Sequence, residues 1–340
     1  MPEEHLRSSS RKFRILDVQW HIGHQYEMLK FPFVQWSWLM QYKRRGLSSS
    51  IRGDLTHMFE YVPYYKSGAF DVAILHLDQD CLDPVSWEVG KGSIYREMDE
   101  AIRDIPKIVI MHGTPFRPEY ILPYSDPQWM VNRLQQILGQ NRLIVNSLQA
   151  SRQWLCGMPV IHGMDPMEWF DLPKYPRVVT TLSPSGMPSY YDRIFLSAVK
   201  TALQRRDIIH CQIGVDYVPG SWDDYREMIG RSLIYFNPTK ESPMPRGRTE
   251  AMLSGACIIT TPYHDADTFI HDGINGFLIE RDPEYVADLI EHLICEPDHA
   301  IAVGQRGKQT AQQLFGWERF ANNWEELLKK VTSTHKPDTH

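Results

Sequence analysis

Short, mostly apolar runs alternate along the chain with segments in which apolar residues recur every three or four positions. In the first half of the sequence, the apolar runs occupy residues 13–19, 71–77, 107–112 and 142–147. Such runs are typical of strands that are buried on both faces of a parallel sheet. The helical periodicity at residues 94–105 and 127–139 predicts crossover helices between these strands.

The alternation restarts after a proline-rich segment at residues 164–176, which we interpret as a linker. Further strand-like runs follow at residues 177–182, 207–214, 233–238 and 256–262. The pattern predicts an α/β fold with two doubly wound, Rossmann-like domains, at residues 1–165 and 166–316. Because ligands of open parallel sheets bind outside the carboxyl ends of the strands, we expect the functional site in the cleft between the domains.

Composition narrows the classes of function. The chain has 340 residues, 42% of them apolar and 23% charged, which is typical of globular domains. Its net charge of −6 argues against a general nucleic-acid binder. The five cysteines have no pair at metal-ligand spacing, so they predict free thiols in a reducing compartment. No apolar run is long enough to span a membrane and the polar amino terminus is not a secretory signal, so we expect a cytoplasmic protein.

Aromatic residues are concentrated in the segment FPFVQWSWLMQYKRR at residues 31–45. We interpret it as an amphipathic helix packed on a sheet. The alternative is a surface patch that contacts the inner face of a membrane peripherally, with basic residues at its end. Residues 332–340 are predicted to form a flexible tail.

Two arginines and a glutamate directly precede an unbroken apolar run in the segment 244–263. A helix that begins near Arg248 would present unpaired N–H groups and a positive dipole end, which suit phosphate. Arg246 and Arg248 can add bidentate contacts, and Glu250 can accept hydrogen bonds from a ribose diol. The alternative is a glutamate that only favours the helix dipole, with solvated arginines.

Several short motifs stand in a characteristic order. They are Asn146-Ser147, Gly163-Met164-Asp165, Pro238, Glu250-Ala251-Met252, Gly255, Asp272-Gly273 and Asn275-Gly276-Phe277-Leu278. In this combination, over about residues 140–320, the sequence resembles the retaining glycosyltransferases of family four. The resemblance implies the glycosyltransferase-B fold and a carboxy-terminal helix at residues 317–331 that packs back on the first domain.

The resemblance also implies an activity. A sugar would pass from a UDP- or GDP-linked nucleotide sugar to a hydroxyl of a glycan, glycolipid or other acceptor, with retention of configuration. The enzyme would be hexosyltransferase-like, would serve polysaccharide or glycoconjugate biosynthesis, and would need no metal or other cofactor. The sequence Asp78-Gln79-Asp80 has the letters of a metal motif, but it matches a position that lines the cleft in the family.

The loop before Glu250 departs from the family pattern. Where the family has a first glutamate, this chain has Ser242, with Glu241 displaced by one position. Two prolines in the loop remove backbone donors that the family uses to hold the diphosphate. We therefore expect Arg246 and Arg248 to replace them, with Arg248 as the catalytic residue of the two.

Two glycine-containing loops are further candidates for contact with the diphosphate. Gly23 follows the first strand, where a glycine lets the backbone approach closely. Ser185 and Gly186 stand at a predicted loop-to-helix junction in the second domain. His21 and His24 flank Gly23 and are expected on the acceptor side, although a structural role for at least one is the alternative.

Polar side chains also end two strands of the first domain. His76 lies near the end of the run at 71–77 and Asp78 follows it, and Asp78 stands where the resemblance places a histidine near the reacting sugar. A carboxylate there can stabilise positive charge on the sugar ring or orient the acceptor hydroxyl. His112 ends the next strand and should face the same cleft. We expect Asp78 and His112 to be catalytic and His76 to lie on the acceptor side.

Three other functions stay open at this point. A nucleotide-sugar 2-epimerase would need more acid and base groups around the sugar. A non-catalytic nucleotide-sugar binder that partners another transferase would explain the departures from the family pattern. Transfer to a base in DNA is disfavoured by the acidic net charge.

Overall fold

A computed structural model of the chain describes residues 11–43, 51–116, 122–182, 190–242 and 244–334. The first domain contains a seven-stranded sheet whose strands are all parallel. Its strands are β1 (Phe13–Asp17), β2 (Val34–Leu39), β3 (Glu60–Val62), β4 (Val72–Leu77), β5 (Lys107–Met111), β6 (Arg142–Val145) and β7 (Met158–Pro159). They lie in the order β3-β2-β1-β4-β5-β6-β7, which is a doubly wound arrangement.

Helices cover both faces of this sheet. They are α1 (Ile22–Leu29), α2 (Pro84–Val89), α3 (Lys91–Ala101), α4 (Pro127–Leu138) and α5 (Leu148–Trp154). Short 3₁₀ turns occupy Met40–Tyr42, Thr56–Met58, Gln79–Leu82 and Pro166–Glu168. Aspartates cap two of the helices: Asp83 and Asp126 accept hydrogen bonds from the first turns of α2 and α4, each of which begins with a proline.

The second domain contains a five-stranded parallel sheet. Its strands are β8 (Tyr175–Thr181), β9 (His210–Ile213), β10 (Ser232–Asn237), β11 (Cys257–Thr260) and β12 (Phe277–Leu278), in the order β12-β11-β10-β8-β9. The helices of this half are α6 (Arg193–Gln204), α7 (Trp222–Gly230), α8 (Arg246–Leu253), α9 (Ala266–Phe269), α10 (Pro283–Cys295), α11 (Pro297–Phe315) and α12 (Trp317–Thr334). The prediction of two Rossmann-like domains with parallel sheets is confirmed.

Helix α12 packs on the first sheet, not on the second. Its buried residues Phe320, Trp324 and Leu328 share a hydrophobic cluster with Ile15 of β1 and Phe31. To reach that position the chain passes between the domains a second time. The two passages lie side by side, because the Met164 N–H donates to the Phe315 carbonyl over 2.8 Å.

The segment at residues 31–45 is not the helix that we expected. It forms β2 and a short 3₁₀ turn, and the side chains of Trp36 and Trp38 are buried. Trp38 stacks on Phe59 with ring centroids 4.0 Å apart. Its side chains alternate as in a strand, since Val34, Trp36 and Trp38 are buried apolar residues, whereas Gln35 is exposed and Ser37 is polar. These aromatic residues belong to the core and do not form a membrane-contacting patch; residues 44 and 45 lie outside the described residues.

None of the helices described by the structure combines the length and apolarity needed to cross a membrane. The predicted flexible tail lies largely outside the described residues, since α12 continues to Thr334.

Candidate functional site

A cavity of about 470 Å³ lies between the two sheets, where strands of both domains end. The first domain and the passage into the second contribute Trp20, His21, His24, Asp78, Lys91, His112, Asn146 and His162. The second domain contributes Thr181, Tyr190, Tyr191, Tyr225, Ser242, Met244, Arg246, Gly247 and Glu250. The cavity therefore lies in the cleft that the fold predicts, and it brings together most of the side chains that the sequence pointed to. A larger depression of about 740 Å³, against α6 and β9, is lined by none of the predicted site residues.

Arg246 is one of two cationic side chains among the described residues that line the cavity, and Lys91 is the other. Arg246 is the first residue of α8, and its side chain is 14% exposed. Its Nη2 donates to Glu27 Oε1 over 3.3 Å, and its Nε lies 3.7 Å from Glu250 Oε1. Within the described part of the chain, its Nη1 is buried without a hydrogen-bond partner. Arg246 thus brings a cationic side chain to the wall of the cavity, with one nitrogen that no described group occupies.

Arg248 does not reach the cavity, contrary to our expectation. Its side chain is fully buried, and it donates to the carbonyls of Tyr263 and His264 over 3.3 and 3.2 Å. The guanidinium also lies 5.0 Å from the ring centroid of Phe269. Burial lowers the pKa of Arg248 to about 10. Two positions along a helix rotate a side chain by roughly 200°, so Arg246 and Arg248 face in nearly opposite directions.

Glu250 lines the cavity, and cationic and phenolic groups hold its carboxylate. Arg52 of the first domain donates to Oε1 over 3.3 Å, and the Tyr225 hydroxyl donates to Oε2. Arg52 in turn lies 4.3 Å from the ring of Trp222. Burial raises the pKa of Tyr225 well above its usual value, which keeps the phenol as a donor.

Of the two residues predicted to bind the donor in the loop before α8, one lines the cavity and the other does not. Ser242 lines the cavity and is 8% exposed. The Glu241 side chain does not line it, and its carbonyl accepts a hydrogen bond from Thr114 Oγ1 over 3.3 Å. Glu241 thus contributes to the contact between the domains, because its backbone binds Thr114 in the loop that follows β5. Ser185 and Gly186 lie outside the described residues.

Gly23 lies in the first turn of α1 and not in a loop. A Cβ at this position would lie 3.1 Å from Arg246 Nε. Gly23 is not part of the cavity lining. The absence of a side chain at residue 23 therefore makes room for the Arg246 guanidinium, which corrects our expectation of a direct contact with diphosphate.

His21, His24 and His112 form a cluster at the first-domain end of the cavity. His21 caps α1, since its Nδ1 accepts the His24 N–H over 3.2 Å. Its ring stacks on that of His112 with centroids 5.7 Å apart. Burial, and secondarily the charge of Arg246, lowers the pKa of His21 to about 4. Burial likewise lowers the pKa of His24 and His112 well below their usual values, so these imidazoles are neutral at pH 7.

His76 lies behind His112 and does not line the cavity, in contrast to our expectation. It is the last but one residue of β4, in the interior of the sheet, where β1 and β5 flank that strand. Its Nε2 lies 2.7 Å from Asp17 Oδ1 and its Nδ1 lies 2.8 Å from His112 Nε2. It can reach a ligand only through His112.

Asp78 lines the cavity but is already paired. Its Oδ2 lies 2.9 Å from Lys91 Nζ, and its Oδ1 accepts the Cys81 N–H over 3.2 Å as the cap of a 3₁₀ turn. Asp80 also lies within 3.5 Å of Lys91 Nζ. A carboxylate that is paired in this way acts on a sugar only in competition with Lys91.

Sequence reasoning missed several residues of the site. They are Asp17, Glu27, Arg52, Lys91, Asn146, His162, Tyr190, Tyr191 and Tyr225. Asp17 offered a signal, since it is a charged residue that ends an apolar strand. Arg52 and Tyr225 offered none, because their contact with Glu250 joins segments that are distant in the sequence.

Comparison with protein families gives a match mainly in the second domain. Residues 189–326 match the model of a family described as glycosyl transferase-like. The structure of Anabaena HepE in complex with UDP-glucose superposes with a TM-score of 0.67 over 94% of this chain and all of that one, at 13% identity. The chain has the glycosyltransferase-B fold.

Curated relatives match over short stretches. Spore coat protein SA of Bacillus subtilis is 29% identical over 92 residues, which is 26% of this chain and 24% of that protein. Alpha-maltose-1-phosphate synthase of Mycolicibacterium smegmatis is 22% identical over 115 residues, which is 32% of this chain and 30% of that protein. The chain thus aligns with between a quarter and a third of the length of these relatives.

Proposed function

We propose that the protein is a glycosyltransferase that moves a sugar from a nucleotide-diphosphate sugar to an acceptor hydroxyl. The observation that carries the proposal is the unpartnered Arg246 Nη1 beside the cavity, at the start of a helix that no side chain caps. A departing diphosphate gains negative charge as its bond to the sugar breaks. A fixed cation and helix N–H groups stabilise that charge without reorganising.

The rest of the cavity suits the remainder of such a donor. Glu250 stands ready to accept hydrogen bonds from a ribose diol. The neutral histidines and tyrosine hydroxyls can bind sugar hydroxyls. The glycosyl transferase-like match and the fold shared with HepE, whose structure holds UDP-glucose, support a UDP- or GDP-linked donor.

We propose retention of configuration and independence from metal as the finer description. Retention is supported by the resemblance to family four and by the state of the carboxylates. Among the described lining residues, Asp78 and Glu250 each already bind a cation, so neither is a free nucleophile for a double displacement. A glycan or glycolipid hydroxyl is the proposed acceptor.

Removal of divalent metals is expected to leave turnover unchanged. Asp78 and Asp80 are the carboxylates nearest to a metal motif, and Lys91 lies 2.9 Å from the first and 3.5 Å from the second, where a metal would otherwise be expected. A set of described residues that could hold a metal, His292, Glu296 and His299, does not line the cavity. The measurement is the rate of nucleotide release with excess EDTA, compared with added Mg²⁺ or Mn²⁺. Loss of activity on chelation, restored by either metal, would contradict the proposal.

Substitution Glu250→Ala is expected to weaken nucleoside diphosphate binding by about 1–3 kcal/mol, the cost of an unmade charged hydrogen bond. Calorimetric titration with UDP and GDP measures it. Glu227→Ala is the matched control, because Glu227 is an exposed carboxylate two residues from Tyr225 that pairs only with Arg231 in the described structure. An affinity for both nucleotides that is unchanged in Glu250→Ala would remove Glu250 from the binding site.

The histidine cluster favours one rival, a nucleotide-sugar 2-epimerase, which would use such groups to move protons. Incubation with a panel of nucleotide sugars separates the two activities. A transferase releases nucleoside diphosphate and, without an acceptor, free sugar by slow hydrolysis. An epimerase forms an isomeric nucleotide sugar and releases no nucleotide, and a non-catalytic binder shows neither product.

A further inference from the structure

A buried row of hydrogen bonds leads from the sheet to the cavity. Asp17 is the last residue of β1, His76 the last but one of β4, and His112 follows β5, so three neighbouring strands place them side by side. The distance from Asp17 Oδ1 to His76 Nε2 is 2.7 Å, and that from His76 Nδ1 to His112 Nε2 is 2.8 Å. The side chains of His76 and Asp17 are 0% and 2% exposed. Solvent therefore does not compete for these bonds.

The donors around Asp17 fix the first proton of the row. Its Oδ1 accepts the Val18 N–H over 2.7 Å, and its Oδ2 accepts from Gln25 Nε2 over 2.9 Å. Both of these partners are donors, and an aspartate carboxylate can only accept hydrogen bonds. His76 Nε2 must therefore carry a proton and donate it to Asp17.

The second bond then has one direction for a neutral His76. With its single ring proton on Nε2, His76 has a lone pair at Nδ1, and it accepts from His112 Nε2–H. A neutral His112 consequently has an unprotonated Nδ1. Within the described part of the chain, that nitrogen has no hydrogen-bond partner, and His112 lines the cavity.

We propose that Asp17 and His76 are positioning residues that fix His112 in the tautomer with a lone pair at Nδ1, facing the cavity. This end of the cavity then accepts a hydrogen bond from a ligand hydroxyl and repels a phosphate oxygen. The end of the cavity at Arg246 instead attracts a phosphate oxygen. Resting on the proposed function, the inference orients the donor, with its diphosphate at Arg246 and a sugar hydroxyl at His112.

The tautomer is measured directly by NMR. Long-range proton–nitrogen correlation spectra of the ¹⁵N-labelled full chain at pH 7 distinguish protonated from unprotonated ring nitrogens. Signals of His112 are identified by their loss in His112→Gln. We expect Nε2 of His112 to be protonated and Nδ1 to be unprotonated in the ligand-free protein. A proton on His112 Nδ1 would overturn the proposal, because it requires a cationic His76 or the reversed direction of both bonds.

The Asp17→Asn variant tests the origin of the tautomer. An amide in place of the carboxylate removes the obligatory acceptor for His76 Nε2–H, so His112 is expected to populate both tautomers. The matched control is Asp71→Asn, since Asp71 is a carboxylate of the same domain that accepts from Arg11 and Arg14 and does not line the cavity. An unchanged His112 tautomer in Asp17→Asn would overturn the proposal; if that variant does not fold, the wild-type spectrum decides.

A binding experiment connects the tautomer to ligand orientation. For Asp17→Asn, we expect the affinity for UDP-glucose to fall by about twofold if His112 divides evenly between its tautomers, and by up to about tenfold, the size of one hydrogen bond, if the other tautomer dominates. We expect the affinity for UDP alone to stay unchanged. Equal losses for both ligands would indicate a merely structural role and contradict the proposal. If wild-type protein binds neither UDP-glucose nor its GDP analogue, the proposed function fails while the NMR result still tests the tautomer.

Discussion

Replacing Arg246 by alanine is expected to weaken nucleoside diphosphate binding by about 100-fold. The guanidinium lines the cavity, and its Nη1 has no hydrogen-bond partner among the residues that the structure describes. Charge-assisted hydrogen bonds contribute about 1.5–3 kcal/mol each, and a guanidinium can make two to a phosphate. Calorimetric titration of UDP and GDP measures the loss. Arg246→Lys should recover only part of it, because a point charge cannot reproduce the planar fork.

Arg248→Ala is the matched control for Arg246→Ala. Both variants remove a buried guanidinium from the same helix, so both lower the free energy of unfolding. Arg248 donates to the carbonyls of Tyr263 and His264, so its loss should leave the affinity of the folded protein unchanged. Urea unfolding and titration of each variant separate stability from binding. A larger loss of affinity in Arg248→Ala than in Arg246→Ala would show that Arg248 holds the phosphate after all.

Replacing Trp324 by alanine is expected to lower the free energy of unfolding by about 3–5 kcal/mol, as for other fully buried tryptophans. Trp324 is fully buried, and its ring lies 6.2 Å from that of Phe31. The substitution leaves a cavity between α12 and the first sheet. Urea unfolding measures the change, with Glu326→Ala as the control because that residue of α12 is exposed. A change below 1 kcal/mol would mean that α12 contributes little to the first domain.

The overall architecture follows from the sequence because strands buried on both faces leave continuous apolar runs. The runs at 13–19, 71–77, 107–112 and 142–147 all contain strands of the first sheet. The exception is β2, where the apolar Val34, Trp36 and Trp38 alternate with Gln35 and Ser37. This is the period of a strand, and our expectation of a helix rested on the density of aromatic residues instead of on their spacing.

The sequence predicted those site residues that stand at the end of a strand or in the first turns of a helix. His112, Asp78, Arg246 and Glu250 all line the cavity. The choice between Arg246 and Arg248 was wrong because it depends on the first residue of α8, and a shift of two residues reverses the exposed face of a helix. Partners such as Glu27 and Arg52 could not be predicted, since they meet the second domain only when the cleft is formed.

The two segments that connect the domains lie side by side, paired at Met164 and Gly316, and together form a hinge. A single flexible linker would let one domain swivel in any direction, whereas two linkers side by side restrict the motion to rotation about the line that joins them. Residues near this hinge then move little. His162 lies two residues from Met164, and its Nε2 is 3.1 Å from Thr249 Oγ1. We expect this contact to persist in any rotation of the domains about that line. On the proposed function, we therefore expect a nucleotide sugar to enter and leave through the side of the cleft that lies farthest from Met164.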